Sequence, residues 1–198
     1  LKREVSIRLM YGYENINISK AVEYAKEVLM MDKIDNWIFS KANILISRLD
    51  FLNGNYVRVR KICNKVIEVD NNSDGAEAMY MLIYLTYLDD SLDLAEKMIF
   101  EMTGDYSNDY FIAKAFILLS DIYLAKGNSF QSKATLESVI DNYNGQDLKL
   151  VAQEKREKIL ESEIIVKDHI FIEDSYIDIF ENEIDYELLL ETENDTIN

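Results

Sequence analysis

The chain has 198 residues, 37 acidic against 21 basic, for a formal net charge of −16, with no proline and one cysteine. The length suits one domain or one elongated array with a sizeable core, and an apolar fraction of 48% is too high for a wholly disordered chain. One cysteine closes no internal disulfide and builds no thiolate metal site, the charge lacks the Lys/Arg excess of a nucleic-acid surface, and the longest uncharged run near the centre, Ala78–Leu88, is too short to span a bilayer.

The opening at Leu1, without Met or a secretory signal pattern, points to a fragment or a processed chain. From there to about residue 160, short amphipathic stretches alternate with brief polar turns, and the period is helical. Gly54, Gly75, Gly127 and Gly145 are expected in those turns, with Gly104 in a longer one, because glycine suits the left-handed residue that ends a helix.

The stretches repeat. One apolar face begins at Ala21, Val59, Ala95 and Ser132, at gaps of 38, 36 and 37 residues. Each continues four, seven and eight residues on: Ala25, Val28, Leu29; Cys63, Val66, Ile67; Ile99, Met102, Thr103; Leu136, Val139, Ile140. The helices that precede three of these faces share a second pattern. Ala42, Ala78 and Ala115 occupy one place, Ile46, Leu82 and Leu119 the place four residues later, and Ser47, Ile83 and Ser120 the next. Small residues there let two helices approach closely. A lone helical hairpin cannot bury both faces, so stacked neighbours must complete the core.

After the fourth unit, Asp147 is expected to cap a helix from Leu148 to about Ser162, with Leu148, Val151, Ala152 and Ile159 on one side. The remainder, 161–198, holds 13 acidic residues and one Lys, a net of −12, while 1–160 carries a net of only −4. Residues 163–172 are rich in β-branched side chains and are expected to be extended. Ser175 then caps an expected helix from Tyr176 to about Glu191, with Ile177, Phe180, Ile184 and Leu188 forming an apolar stripe on an acidic background. Fully solvated tails rarely carry so many large apolar groups. Three placements of this tail stay open: on its own solenoid, on a partner on which it folds, or in another copy's groove.

Candidate chemistry is sparse. His169 is the single histidine, so no imidazole pair exists. Cys63 stands on the buried face of a second helix and reads as a structural thiol. The glycines are too far apart for a phosphate loop, and Asp89-Asp90-Ser91-Leu92-Asp93 lacks the glycine and terminal glutamate of a calcium loop and reads as a helix-start cap. No catalytic residue, metal site or cofactor site is expected.

Ala113–Gln146, with Ala115, Leu119, Ser120, Tyr123, Gly127, Leu136 and Val139 in register, resembles a tetratricopeptide repeat (TPR), whose unit is 34 residues; the more specific string is 109–123 (Asp109-Tyr110-Phe111-Ile112-Ala113-Lys114-Ala115 through Tyr123). Together with Lys133–Tyr143 it is similar to the C-terminal region of large TPR proteins of Bacteroidetes. The repeat-closing proline of that family is replaced by Asn71, Ser107 and Asn144, and Arg8 stands where a core Leu is expected.

The resemblance implies an all-α fold: a right-handed α-solenoid of about four TPR hairpins with a capping helix over 1–160, followed by the acidic tail 161–198. It implies that first helices line a concave groove. The groove set is Lys41, Arg48, Phe51, Tyr80, Tyr84, Tyr87, Lys114 and Asp121, with Leu45, Met81, Leu118, Leu124, Arg3, Met10 and Tyr13 at further groove places. Packing between repeats is the competing role for these side chains. The chaperone-type carboxylate clamp is not matched. The function implied is a non-catalytic interaction scaffold or adaptor for a peptide or helical segment of a protein partner, within a larger complex, with neither nucleic acid nor membrane insertion. The alternative is a chaperone-like assembly factor that holds client segments. The setting implied is the periplasm or cell envelope, with the cytoplasm as the other compartment. The tail's expected contact residues are Tyr176, Ile177, Phe180, Ile184 and Leu188.

Overall fold

The computed structural model describes residues 2–165. Within them run α1 (Lys2–Tyr13), α2 (Ile18–Leu29), α3 (Asn36–Leu52), α4 (Tyr56–Ile67), α5 (Ser73–Leu88), α6 (Leu92–Asp105), α7 (Asp109–Ala125) and α8 (Ser129–Asn142). Residues 146–165 are also helical. The chain divides into two units between Gln153 and Glu154, and α1–α8 all lie in the first. Each helix packs on the next, and α3, α5 and α7 also pack side by side. Among the described residues the fold is an all-α array of four helical hairpins, followed by the helix over 146–165.

Asparagine starts several helices for a local reason. The first backbone N–H groups of a helix have no partner in the helix itself, and a short polar side chain can accept from them. Asn17 accepts from the Lys20 N–H, Asn108 from Phe111 and Asn128 from Gln131, at 3.1, 3.2 and 3.1 Å. In the Asp89–Asp93 run, expected to start a helix, Ser91 stands at the N-cap of α6 but makes no side-chain cap bond.

Three hairpin turns share one backbone solution. Gly54, Asp90 and Gly127 adopt φ of 73°, 59° and 74°. The next N–H reaches back to the last turn of the preceding helix: Asn55 to Asp50 O at 2.8 Å, Ser91 to Thr86 O at 3.2 Å, Asn128 to Tyr123 O at 2.8 Å. This is the paired closure of a Schellman-type end. Gly75 is different. It lies in the first turn of α5, and a Cβ there would collide with the backbone carbonyl of Asp70 and crowd the Tyr106 ring. The expectation of a turn at Gly75 is corrected to a close helix–loop approach. Gly104 is likewise helical, within α6.

The core follows the repeat. Ala21, Val59, Ala95 and Ser132 are fully buried, as are Ala25, Cys63, Ile99 and Leu136 four residues on. Ala42, Ala78 and Ala115 are buried completely too. Three clusters form, and each draws on adjacent hairpins: Met10, Ala21 and Ala25 with Ala42 and Leu45; Ile44, Val59 and Cys63 with Ala78 and Leu82; Ile83, Ala95 and Ile99 with Ala115 and Leu119. Burial of each Val, Ile or Leu stabilises by about 1.5–3 kcal/mol, and neighbouring hairpins share that gain.

The first hairpin uses the same scheme through different residues. Arg8 points outward and pairs with Glu4 at 2.8 Å. Ser6 and Met10 face inward, and the Ser6 hydroxyl donates to Glu27 at 2.9 Å. Asp147 is not a cap, since helix already includes Gln146, and it accepts instead from the Tyr143 hydroxyl at 3.2 Å. Residues 163–165, expected to be extended, are helical. The rest of that stretch, His169, and the tail set Tyr176, Ile177, Phe180, Ile184 and Leu188 lie outside the described residues.

Ser132 occupies the position held by Ala21 and Ala95, is completely buried, and its Oγ has no hydrogen-bond partner among the described residues. A buried hydroxyl without a partner costs roughly 1–3 kcal/mol. Ser132→Ala removes that cost and is expected to stabilise the chain by about 1 kcal/mol, read as a higher urea midpoint with an unchanged slope. A lower midpoint would show that the hydroxyl is satisfied.

Candidate functional site

The first helices present one face each. On α3 the spacing of seven and three sets Lys41, Arg48 and Phe51 in a row; on α5 the spacing of four and three does so for Tyr80, Tyr84 and Tyr87. Because α5 packs against both α3 and α7, these rows meet side by side. The result is a cleft of about 280 Å³ lined by Arg48, Phe51, Leu52, Glu77, Tyr80, Met81, Tyr84, Phe111 and Lys114. That volume lies at the lower edge of small-molecule pockets and suits one or two large side chains.

Aromatic rings form its wall. The Phe51 ring stands 5.4 Å from Tyr56 and 5.7 Å from Tyr84; Tyr80 stands 6.3 Å from Tyr84 and 6.2 Å from Phe111; Tyr87 continues the row 6.2 Å from Tyr84. These separations lie within the range at which ring pairs attract. Burial, reinforced by Tyr84 and Asp121, pushes the Tyr80 hydroxyl up to about 12, so it stays protonated. Lys114 lies across this wall, its ammonium 4.6 Å from the Tyr80 centroid, 5.7 Å from Tyr110 and 5.8 Å from Phe111. Burial draws its pKa below the ordinary lysine value, with Glu77 opposing. Lys114 has no ion-pair partner among the described residues.

The other cations of the face are saturated. Arg48 grips Glu77 with two bonds, Nε to Oε1 at 2.5 Å and Nη2 to Oε2 at 2.7 Å, and reaches Glu14 with Nη1 at 2.8 Å. The bond to Glu77 holds the Arg48 charge against the cost of burial. Lys41 pairs with Asp74 at 2.7 Å and Glu14 at 3.4 Å. Burial opposes the Lys41 charge, yet Asp74 lifts its pKa above the ordinary value, while burial raises that of Asp74. Five charges thus stitch α3 to α5 and to Glu14.

Of the expected groove set, Arg48, Phe51, Tyr80, Tyr84 and Lys114 line one cleft; Lys41, Tyr87 and Asp121 stand outside its lining. Three further groove expectations are corrected. Met10, Leu45 and Leu118 are buried in the hairpin cores, because helix positions next to the alanine column turn inward. Leu52, Glu77 and Phe111 line the cleft without having been expected there. Phe111 had a signal, since it is one turn before Ala115 on α7; Glu77 had none, since its partner Arg48 lies 29 residues away.

Other chemistry is quiet. The Cys63 thiol, buried, donates to the Ser47 hydroxyl at 3.8 Å, and burial pushes it up to about 11, which keeps it protonated and inert. Among the described residues no group of three or more His, Cys, Asp and Glu is placed to hold a metal ion, and no helix is long and apolar enough to cross a membrane.

No family model matches the chain, and no curated protein matches it. Among solved structures, the crystal structure of MamA aligns with it at a TM-score of 0.47 and 20% identity, over 77% of this chain and 92% of that one.

The ion network yields a test. Removing Glu77 takes two of its three bonds from a half-buried guanidinium and leaves it Glu14 alone, so Glu77→Ala is expected to destabilise by roughly 1–3 kcal/mol. Adding Arg48→Met to it should return part of that loss, since the half-paired charge goes too. Denaturant midpoints of the two single variants and the double complete the cycle. Strict additivity would show that the pair is not coupled.

Proposed function

We propose that this chain is a non-catalytic protein-interaction scaffold whose α3–α5–α7 cleft holds an extended or helical segment of a protein partner. The observation that carries the reading is the joining of an apolar, ring-walled cleft with one desolvated cation, Lys114, that has no ion-pair partner among the described residues. Rigid aromatic side chains give contact area at small entropy cost, and buried anchors dominate binding energy. The groups in the cleft bind and orient; they include no base poised to move a proton. Arg48 belongs to the scaffold rather than to the contact, because Glu77 and Glu14 already occupy its donors.

Selection of a displayed peptide library against the full chain tests the reading. Enriched peptides are expected to set a large apolar residue beside Asp or Glu. Lys114→Met, and separately Leu52→Glu at a position 73% exposed, should each weaken the selected peptide at least about tenfold, or 1.4 kcal/mol, with the melting curve unchanged. Unchanged affinity in both variants would remove the cleft as the binding surface.

The setting we attach to this reading is an assembly of the bacterial cell envelope, supported by the resemblance carried in 109–143. Fractionation of the source cells should recover the protein with the envelope; recovery in the cytosol alone would end that part of the reading.

A further inference from the structure

A second cleft, of about 470 Å³, lies between α2 and α4, with Asn43 and Ile46 of α3 also in its lining; no residue lines both clefts. Its rims are basic. Lys26 stands on α2, and Arg58, Lys61 and Lys65 stand on α4 at spacings of three and four, which place them on one face. Arg58 is tied to Asp50 at 3.2 Å. Lys26, Lys61 and Lys65 are exposed and have no ion-pair partner among the described residues.

Between the cations the floor is apolar. Leu29 and Ile62 line it, and Met30 lines it while 85% exposed. No acidic side chain lines the cleft. A four-cation cleft is unexpected on a chain of net charge −16. Its layout, an apolar trough between cationic edges, is the complement of an acidic helix with an apolar stripe.

The sequence carries a segment with that pattern of residues. Residues 176–190 include five acidic and no basic residues, and Ile177, Phe180, Ile184 and Leu188 recur at helical spacing. We propose that the α2–α4 cleft is a docking surface for segment 176–190 of a second copy of this chain. Each copy then carries both halves of the contact, so a reciprocal exchange closes a two-fold dimer and a one-way exchange gives a chain of copies. Surface charge pairs are individually weak and screened by salt, so the apolar stripe supplies affinity and the charges supply orientation and partner choice. The proposal is independent of the reading above and shares no residue with it.

The full chain tests it. Sedimentation velocity should show a weight-average mass that rises with concentration and falls between 50 and 500 mM salt. Zero-length carbodiimide cross-linking of mixed ¹⁴N and ¹⁵N copies should yield mixed-isotope links from Lys26, Lys61 or Lys65 to acids of 176–190. The triple charge reversal Lys26→Glu, Lys61→Glu, Lys65→Glu should raise the dissociation constant of self-association at least tenfold. The tail variant Asp178→Asn, Glu181→Gln, Asp185→Asn leaves the hairpins untouched and should do the same. A chain that stays monomeric, links of a single isotope only, or self-association unchanged in the tail variant would each overturn the proposal.

Discussion

The structure depends on a column of small side chains. Ala42, Ala78 and Ala115 are completely buried where first helices meet their neighbours, and Ala21, Ala95 and Ser132 do the same on second helices. A methyl group at these places sets how near two backbones come. With that distance set, Ile99, Met102, Leu119 and Leu136 are almost wholly buried between the helices. The three apolar clusters each mix residues of adjacent hairpins, so no hairpin owns its core. Stability in such an array is a sum over units and seams, and it propagates from neighbour to neighbour.

Polar chemistry is layered over that frame. The Arg48–Glu77 fork, the Lys41–Asp74 pair and the Lys126–Glu96 pair each tie one hairpin to the next. These links rest at the margins of the apolar seams, where water still reaches one side. They act on register: a fork of two parallel bonds tolerates little sliding of α3 along α5. The tyrosine row on α5 can then stand partly open, because the ion network beside it and the alanine column beneath it already hold α3 and α5 together.

The repeat was legible in the sequence because its signal is local and periodic. Four faces at gaps of 36 to 38 residues and three alanines in one place announce stacked helical hairpins. Helix caps were poorly legible: Asn17, Asn108 and Asn128 cap α2, α7 and α8, Asn55 and Asn72 stand in the same place without a side-chain bond, and the expected cap at Asp147 is not one. The cleft was half legible. Phe51, Tyr80, Tyr84 and Lys114 follow from the groove places that the repeat resemblance implies. The pairing of Arg48 with Glu77 does not, since it depends on which helices abut and not on any pattern within one. The inward turn of Leu45 and Leu118 was hidden for a related reason: an apolar side chain beside a core stripe belongs to the face or to the core according to a few degrees of helix rotation. The basic cleft between α2 and α4 was invisible in a chain whose summed charge is negative, because the sum hides how charges are sorted onto helix faces.

The three hairpin turns have Asn-Gly-Asn, Asp-Asp-Ser and Lys-Gly-Asn at their centres, yet share one left-handed residue and one back-reaching N–H. Their geometry is therefore stored in the backbone, with almost no demand on side chains beyond tolerance of positive φ at one position. A turn of that kind copies well. A duplicated or deleted hairpin would arrive with its connector already compatible, and its alanine column would mate with any neighbour that carries the same column. The architecture is thus modular at the level of the gene, able to change length in whole units while each seam stays the same.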